Sequence, residues 1–397
     1  MIKTEKIIPG GQALATLPDG KKAFFWNALP GEITISYEIT KNKSHYSEAI
    51  ATEIQDESPY RIAHKDACYL STSPWQITDY NYELQLKQEL VTELFREHGI
   101  IINPPKIYTD GNDYFYRNKM EYALYWDNQK SQIQLAFHAR GSHRKIPITN
   151  SSIERPEIFQ AATQIIKDLN DRHEEARKYQ TLLLRCNQKG EVAGGLYENH
   201  QPHPIFSNLN DSILGHKYSY SPNGFFQINL PVYEMALAEI KKHITTNEVL
   251  DLYAGVGTIG FSVASDRNLT LVECDKYAFN EMVKNCKQNF SEQSQDNDTL
   301  QIKQPTTVLA KSEDVLNYIS HDQTVILDPP RAGCDKKLIS HLLEVQPVKI
   351  IYLSCNPATQ ARDVKLLLEK YQITEIKTFN FFPHTPHIEN LVILSRH

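Results

Sequence analysis

The sequence contains no long apolar run. No stretch of about 18 apolar residues occurs in its 397 residues, so no transmembrane helix is predicted. The first residues, Met1–Lys6, include no hydrophobic signal region, and we therefore expect a soluble, cytoplasmic protein. A hydrophobic content of 41% over this length is enough for two or three separate cores.

Cysteine is scarce and irregularly spaced. The six cysteines show no repeated spacing, which argues against both a disulfide framework and a zinc site. We expect reduced thiols, as is usual in the cytoplasm, and no bound metal. The six are Cys68, Cys186, Cys274, Cys286, Cys334 and Cys355.

Positive charge is not in excess, since the net charge is −6, which argues mildly against bulk binding of polyanions. Residues 117–145 differ, with six basic and two acidic side chains and interleaved aromatics. An RNA-facing surface with stacking platforms and a solvated hairpin are about equally good interpretations of this stretch. The basic residues are Arg117, Lys119, Lys130, Arg140, Arg144 and Lys145.

The N-terminal half is rich in short strand patterns. Residues 1–60 alternate β-type segments with Pro and Gly turns, which predicts a small barrel of the OB type. Residues 61–220 are predicted to form a mixed α+β domain, with one helix at about 81–98 that can pack on the C-terminal domain and another near Pro156–Ala176.

The pattern changes at about residue 221. Through residues 221–397, apolar β-branched runs alternate with helical segments, which predicts a doubly wound α/β domain with a parallel sheet. One of the helices is predicted over Ala278–Phe290, and the polar run Ser291–Asp298 after it is predicted to be a flexible loop.

Ligands bind such sheets beyond the carboxyl ends of the strands. After the first strand, Gly255 and Gly257 form a turn that lets a nucleoside approach the backbone. Glu273 ends the next strand, where its carboxylate can accept hydrogen bonds from a ribose. No GxxxxGK[ST] phosphate loop is present, so an adenosyl ligand without a triphosphate is favoured and NAD stays a competitor.

Two further strands end in reactive groups. Asp328 is followed by Pro329 and Pro330, which form a stiff loop. Cys355 precedes Asn356 and Pro357, an N-cap and a first helical residue, and we expect the helix dipole to lower the pKa of its thiol. Four such strand ends favour catalysis over a purely structural domain.

These segments resemble the motifs of the S-adenosylmethionine-dependent RNA uracil-5-methyltransferases. The resemblance rests on residues 251–257, 328–333 and 354–363, supported by residues 223–229 and 385–389. It implies a Rossmann-like class I methyltransferase domain, and residues 1–58 resemble the TRAM domain, an RNA-binding barrel.

The resemblance also implies roles for individual residues. Gln227, Tyr253, Glu273 and Asp328 would contact S-adenosylmethionine. Cys355 would be the nucleophile and Glu389 the base. Phe225 or Phe226 would stack on the uracil, although core packing explains either ring equally well. Many relatives bind an iron–sulfur cluster after the barrel, but residues 63–76 keep only Cys68, so we expect no cluster and a central domain held by ordinary packing.

Alternatives stay open at this point. Amino-group methylation also uses a strand-end Asp-Pro-Pro motif, but it leaves Cys355 without a task. A catalytically inactive RNA-binding factor is a third possibility. The expected RNA is 23S ribosomal RNA, by analogy with barrel-bearing relatives, and transfer RNA is the alternative. We expect a monomer.

Overall fold

The first 56 residues form a closed barrel in the computed structural model, which describes residues 1–198, 201–203, 206–296 and 303–397. The small side chains of Ala13, Ala23 and Ala49 and the larger ring of Phe25 are all buried, and together they fill the narrow interior of the barrel. The predicted OB-like barrel is confirmed. Its strands, in the order β1-β2-β3-β5-β4, are β1 (Ile2–Ile7), β2 (Ala13–Thr16), β3 (Lys22–Trp26), β4 (Ile33–Asn42) and β5 (Tyr46–Asp56).

The chain next forms α1 (Tyr69–Thr72), α2 (Tyr80–Glu97) and β6 (Ile107–Tyr108). Asp79 caps α2 by accepting hydrogen bonds from the N–H groups of Asn81 and Tyr82. The helix lies within one residue of its predicted bounds at both ends. It packs against the last helix of the C-terminal domain, and β6 pairs with the edge of the C-terminal sheet.

The central region is a six-stranded antiparallel sheet with one helix on one face. That helix ends at Asp171, five residues before the predicted end, because His173 adopts φ +56° and a separate 3-10 turn follows at Ala176–Lys178. The elements are β7 (Lys119–Asp127), β8 (Gln132–His138), β9 (Lys145–Pro147), α3 (Pro156–Asp171), β10 (Tyr179–Cys186), β11 (Val192–Glu198) and β12 (Gln201–His203), and the hairpin β13 (Leu209–Ile213) and β14 (His216–Tyr220) follows.

A buried carboxylate ties the segment after the barrel to the central region. Asp66 accepts hydrogen bonds from Gln76 Nε2 at 2.8 Å, from Asn150 Nδ2 at 3.2 Å, and from the N–H and hydroxyl of Ser152 at 3.1 and 2.8 Å. Hydrogen bonds to this buried carboxylate thus supplement apolar packing in this region. Cys68 packs into the apolar core beside it, and burial raises the pKa of its thiol to about 11.

The C-terminal domain has an eight-stranded sheet in the order β17-β16-β15-β18-β19-β21-β20-β6, with apolar cores on both faces. The first five strands in this order, β17, β16, β15, β18 and β19, are parallel to one another, which confirms the predicted doubly wound fold. The elements are α4 (Leu230–Lys242), β15 (Glu248–Leu252), α5 (Thr258–Ala264), β16 (Asn268–Glu273), α6 (Lys276–Asp296), β17 (Thr306–Leu309), β18 (Gln323–Leu327), α7 (Lys336–Val345), β19 (Lys349–Ser354), α8 (Pro357–Leu367), β20 (Tyr371–Phe379) and β21 (Glu389–Arg396), with 3-10 turns at Ser312–Asp314 and Leu316–Tyr318.

One local prediction in this domain was wrong. The helix predicted over Ala278–Phe290 runs from Lys276 to Asp296, through most of the polar run predicted to be a loop. Polar Ser, Glu and Gln residues lower helix propensity only slightly, so a helix already held by its apolar face can continue through them. Residues 297 and 298 of that run lie outside the described residues. No helix in the described part of the chain combines the length and apolar character needed to span a bilayer.

Candidate active site

A cavity of about 2250 Å³ opens at the carboxyl ends of the parallel strands. Seven of the eight predicted site residues line it, although they come from six separate segments of the chain. Gly257 is the exception, since it lies on the side of the turn that packs against α6, whereas Gly255 faces the cavity. The seven are Gln227, Tyr253, Gly255, Glu273, Asp328, Cys355 and Glu389.

The glycine turn between β15 and α5 has left-handed backbone at three positions, Tyr253 (φ +67°), Gly255 (φ +58°) and Gly257 (φ +85°). No atom lies within 4 Å of a Cβ built on Gly255, so its backbone faces open space in the cavity. A Cβ on Gly257 would meet Met282 at 3.0 Å. Gly255 therefore keeps the cavity open, while Gly257 lets the turn pack on α6.

Glu273 joins this turn to the end of β16. Its Oε2 accepts a hydrogen bond from Gly255 N at 2.8 Å, and its Oε1 accepts one from Asp275 N at 2.6 Å. Each carboxylate oxygen has a second lone pair, so two acceptor positions stay available for hydroxyl groups. The open glycine cradle and this oriented carboxylate fit the ribose of an adenosyl group.

Cys355 lies between β19 and α8, as predicted. Asn356 caps α8 by accepting a hydrogen bond from Ala358 N at 3.3 Å. Its Nδ2 donates to the carbonyl of Arg331 at 2.8 Å, and Thr359 Oγ1 donates to the same carbonyl at 3.1 Å. These bonds connect the cysteine loop to the loop that follows Asp328.

The predicted effect on the Cys355 thiol was wrong. Burial, assisted by the nearby carboxylates of Glu389 and Asp328, raises its pKa to about 11, although a hydrogen bond with Arg331 opposes this. Desolvation and negative charge both disfavour a thiolate and outweigh the helix dipole. The thiol is therefore neutral at pH 7 in the free protein. Arg331 was visible in the Pro-Pro-Arg motif, but its contact with the sulfur follows only from the fold.

The two carboxyl groups of the cavity are also shifted. Burial raises the pKa of Asp328 to about 7. Burial, together with the negative charge of Asp328, raises the pKa of Glu389 well above its ordinary value, and Arg331 opposes the shift. Shifts of this kind on neighbouring groups in a cleft are typical of catalytic sites.

The two candidate stacking rings have different environments. Phe226 is buried and stacks on Tyr220, with ring centroids 3.8 Å apart. Phe225 is 76% exposed and lines the cavity. Three more aromatic side chains of the cavity, Tyr233, Tyr277 and Phe382, were not selected from the sequence, because nothing in their local pattern separates them from surface or core residues.

One group of possible metal ligands was found among the described residues, away from the cavity. It consists of Glu239 and His243 on α4 and Glu375 on β20, whose ligand atoms lie within 4.8 Å of one another. The ammonium group of Lys377 lies 2.5 Å from Glu239 and 2.6 Å from Glu375. An ion pair therefore satisfies these carboxylates, and the set does not fit a metal ion.

The C-terminal half of the chain matches a family model. Residues 208–397 match the family described as tRNA (Uracil-5-)-methyltransferase. Among curated relatives, an uncharacterized RNA methyltransferase of Enterococcus faecalis is 28% identical, with 94% of this chain and 92% of that protein covered. Another, from Prochlorococcus marinus, is also 28% identical, with 93% and 99% covered. These matches are to RNA methyltransferases and agree with the resemblance drawn from the sequence motifs.

A solved structure resembles the whole chain. It is the Pyrococcus abyssi tRNA (uracil-54, C5)-methyltransferase in complex with S-adenosyl-L-homocysteine. The TM-score is 0.76 with 99% of each chain covered, and the sequence identity is 21%. At this identity the likeness shows the fold alone, from the N-terminal barrel to the C-terminal α/β domain.

Proposed function

Because residues 208–397 match the model of the tRNA (Uracil-5-)-methyltransferase family, we propose that this protein transfers a methyl group from S-adenosylmethionine to C5 of a specific uridine in RNA. The observation that carries the proposal is that Cys355 and Glu389 line one cavity together with the Gly255 turn and Glu273. The S-adenosyl-L-homocysteine bound to the Pyrococcus enzyme supports the choice of cofactor.

The cofactor would lie against the turn. Gln227, Tyr253, Gly255, Glu273 and Asp328 would contact it, with Glu273 accepting hydrogen bonds from the ribose hydroxyls and Gly257 supporting the turn. When bound, S-adenosylmethionine supplies an electrophilic methyl group on a positively charged sulfur, and positive charge beside Asp328, Glu389 and Cys355 favours their ionised forms.

Cys355 acts first on the uracil. Its thiol gives its proton to water, its Sγ bonds to C6, and the electron pair of the C5–C6 double bond moves onto C5, which alone is too weakly nucleophilic to accept a methyl group. The electron-rich C5 then takes the methyl group of S-adenosylmethionine, whose methyl–sulfur bond breaks with its electron pair, so that S-adenosylhomocysteine is left. Glu389, as a carboxylate, then takes the proton from C5. The electron pair of that C–H bond restores the double bond, and the Sγ–C6 bond breaks. Phe225 is the ring available to stack on the base.

The target uridine must leave its stack to enter the cavity, so looped or splayed nucleotides are the substrates. We propose that residues 1–60 and 61–220 supply the remaining RNA contacts, and that the protein acts as a cytoplasmic monomer without an iron–sulfur cluster. The first candidate RNA is 23S ribosomal RNA. Transfer RNA is the second candidate, and the name of the Pyrococcus enzyme favours it. That enzyme matches 99% of this chain, so the match includes the N-terminal barrel. Mapping 5-methyluridine in total RNA with and without the protein distinguishes them.

The covalent step is tested with RNA that contains 5-fluorouracil. Fluorine cannot leave C5 as a proton, so the protein, S-adenosylmethionine and this RNA should form a complex that survives denaturing gels. Cys355→Ala should form none and should lose methylation, while keeping its affinity for S-adenosylmethionine within about threefold, since the thiol is not a main cofactor contact.

The matched control is Cys274→Ala, which removes another cysteine that lines the same cavity. This variant should still form the complex. A wild-type protein that methylates RNA without forming the complex would favour amino-group methylation. A wild-type protein that binds RNA but neither methylates it nor forms the covalent complex would be an inactive binding factor.

A further inference from the structure

The segment that precedes Glu389 is in contact with the barrel, with helix α2 and with the segments on either side of that helix. We call residues 380–388 the junction loop. It connects β20 to β21 and carries Phe382, which lines the cavity. Glu389 follows as the first residue of β21, where its backbone pairs with Phe379. The loop therefore decides how the chain enters the strand that carries the proposed base.

Helix α2 holds the start of the junction loop through two fully buried charges. Lys87 Nζ lies 2.8 Å from Glu83 Oε1, and it donates hydrogen bonds to Asn380 Oδ1 at 2.6 Å and to the carbonyl of Phe382 at 3.1 Å. The N–H of His384 donates to Glu83 Oε2 at 2.8 Å. Desolvating such a pair is costly, so it contributes more to one defined arrangement than to stability.

Residues 75–116 hold the middle of the loop. Asp113 Oδ2 lies 3.2 Å from His384 Nε2, and Tyr116 donates a hydrogen bond to the carbonyl of Pro383 at 2.9 Å. The backbone N–H of Trp75 donates a hydrogen bond to the carbonyl of His384 at 3.0 Å. His384 itself is buried with φ +59°, a conformation that a non-glycine residue keeps only where its surroundings enforce it.

The barrel reaches the end of the loop. A Cβ on Gly11 would overlap with the ring of Pro386, and Gly11 O accepts a hydrogen bond from Trp75 Nε1 at 2.9 Å. Cys355 lies on a different loop, which is held by Asn356 and Arg331. The supports of the proposed base and of the proposed nucleophile are thus separate.

We propose that Glu83, Lys87 and Asp113 are positioning residues that hold the junction loop so that Glu389 meets the C5 proton. The inference rests on the proposed function. Loosening the loop would disturb the step in which the proton passes from C5 to Glu389, and would leave the bond between Cys355 and C6 free to form. A purely structural contribution would slow both steps together.

The test uses Asp113→Ala and the double variant Glu83→Gln/Lys87→Met. The first removes a half-buried contact and should fold. The second replaces both buried charges, which avoids a single unpaired charge in the interior. The control is Glu97→Gln, at the exposed end of α2. Two rates are measured for each protein: formation of the complex with 5-fluorouracil RNA, and release of methylated ordinary RNA from its covalent complex.

We expect complex formation within about threefold of wild type, together with release slowed about tenfold or more, so that the covalent complex with ordinary RNA accumulates. Glu97→Gln should match wild type in both. Equal slowing of both steps, or no change in either, with a normal wild-type complex would overturn this inference alone. A wild-type protein that forms no complex would overturn the proposed function and this inference with it.

Discussion

Two pairs of carboxylates in this protein, buried apart from the half-buried Asp328, differ in how many hydrogen bonds they accept. At the joints between the N-terminal parts, Glu32 accepts bonds from the backbone N–H groups of Leu29 and Ser58, and its two oxygens also bind the guanidinium of Arg61 at 2.6 and 2.7 Å. Asp66 accepts four bonds from three residues. These carboxylates join chain segments that are distant in sequence.

The cavity pair, Asp328 and Glu389, is different. Among the described residues, no hydrogen bond to either side chain is found, and both have raised pKa values. A buried carboxyl group without a partner destabilises its charged form, and a protein tolerates it where a ligand or a reaction will use it. Of these four carboxylates, the two that accept several hydrogen bonds connect parts of the fold, whereas the two that accept none line the cavity. Two substitutions and one titration test this contrast.

The largest effect is expected from Glu389→Gln. The amide cannot accept the C5 proton, so turnover should fall by about 10² to 10⁴, while the Cys355 complex with ordinary RNA accumulates. Stability should be unchanged or slightly higher, because a neutral group of the same shape replaces a buried acid. Turnover is measured on RNA tritiated at C5, and accumulation of the covalent complex is measured on denaturing gels. Normal turnover would exclude Glu389 as the base.

A smaller effect is expected from Asp66→Ala. The change removes the acceptor of the buried Ser152 N–H and hydroxyl and one of the two acceptors of Gln76 Nε2, which also donates to Ser73 Oγ. These losses should cost about 2–4 kcal/mol. The thermal midpoint should fall, and amide hydrogen exchange over residues 150–154 should quicken. Asp56→Ala, at the exposed end of β5, is the control. If both variants lose the same stability, Asp66 does not have the joining role assigned to it.

The smallest effect concerns pH. Because burial raises the pKa of Asp328 to about 7, its carboxyl is mostly neutral at pH 6 and mostly charged at pH 8. Affinity for the cationic S-adenosylmethionine should therefore rise about tenfold over this interval, as calorimetric titration can measure. The Asp328→Asn variant should bind S-adenosylmethionine with an affinity that depends little on pH. The affinity for S-adenosylhomocysteine, whose sulfur is uncharged, should also depend less on pH. An unchanged slope in Asp328→Asn would assign the titration to another group.

Much of the site was predictable because strand ends in a parallel sheet meet at one edge. An apolar run followed by Gly255, Glu273, Asp328 or Cys355 needs only local patterning to be recognised, and the sheet then brings the four together. The choice between Phe225 and Phe226 was not predictable. Adjacent residues in a loop have no fixed alternation, so burial against Tyr220 decided which ring was left exposed.

Local patterns in the chain were enough to specify the strand–helix alternation, the small barrel and the cavity-lining residue at each of four strand ends, since these depend on periodicity and turn chemistry. The protonation of Cys355, the supports of the junction loop and the role of Asp66 were set by the folded arrangement alone. They depend on desolvation and on contacts between residues far apart in the chain, such as Lys87 and Asn380, which no local pattern contains.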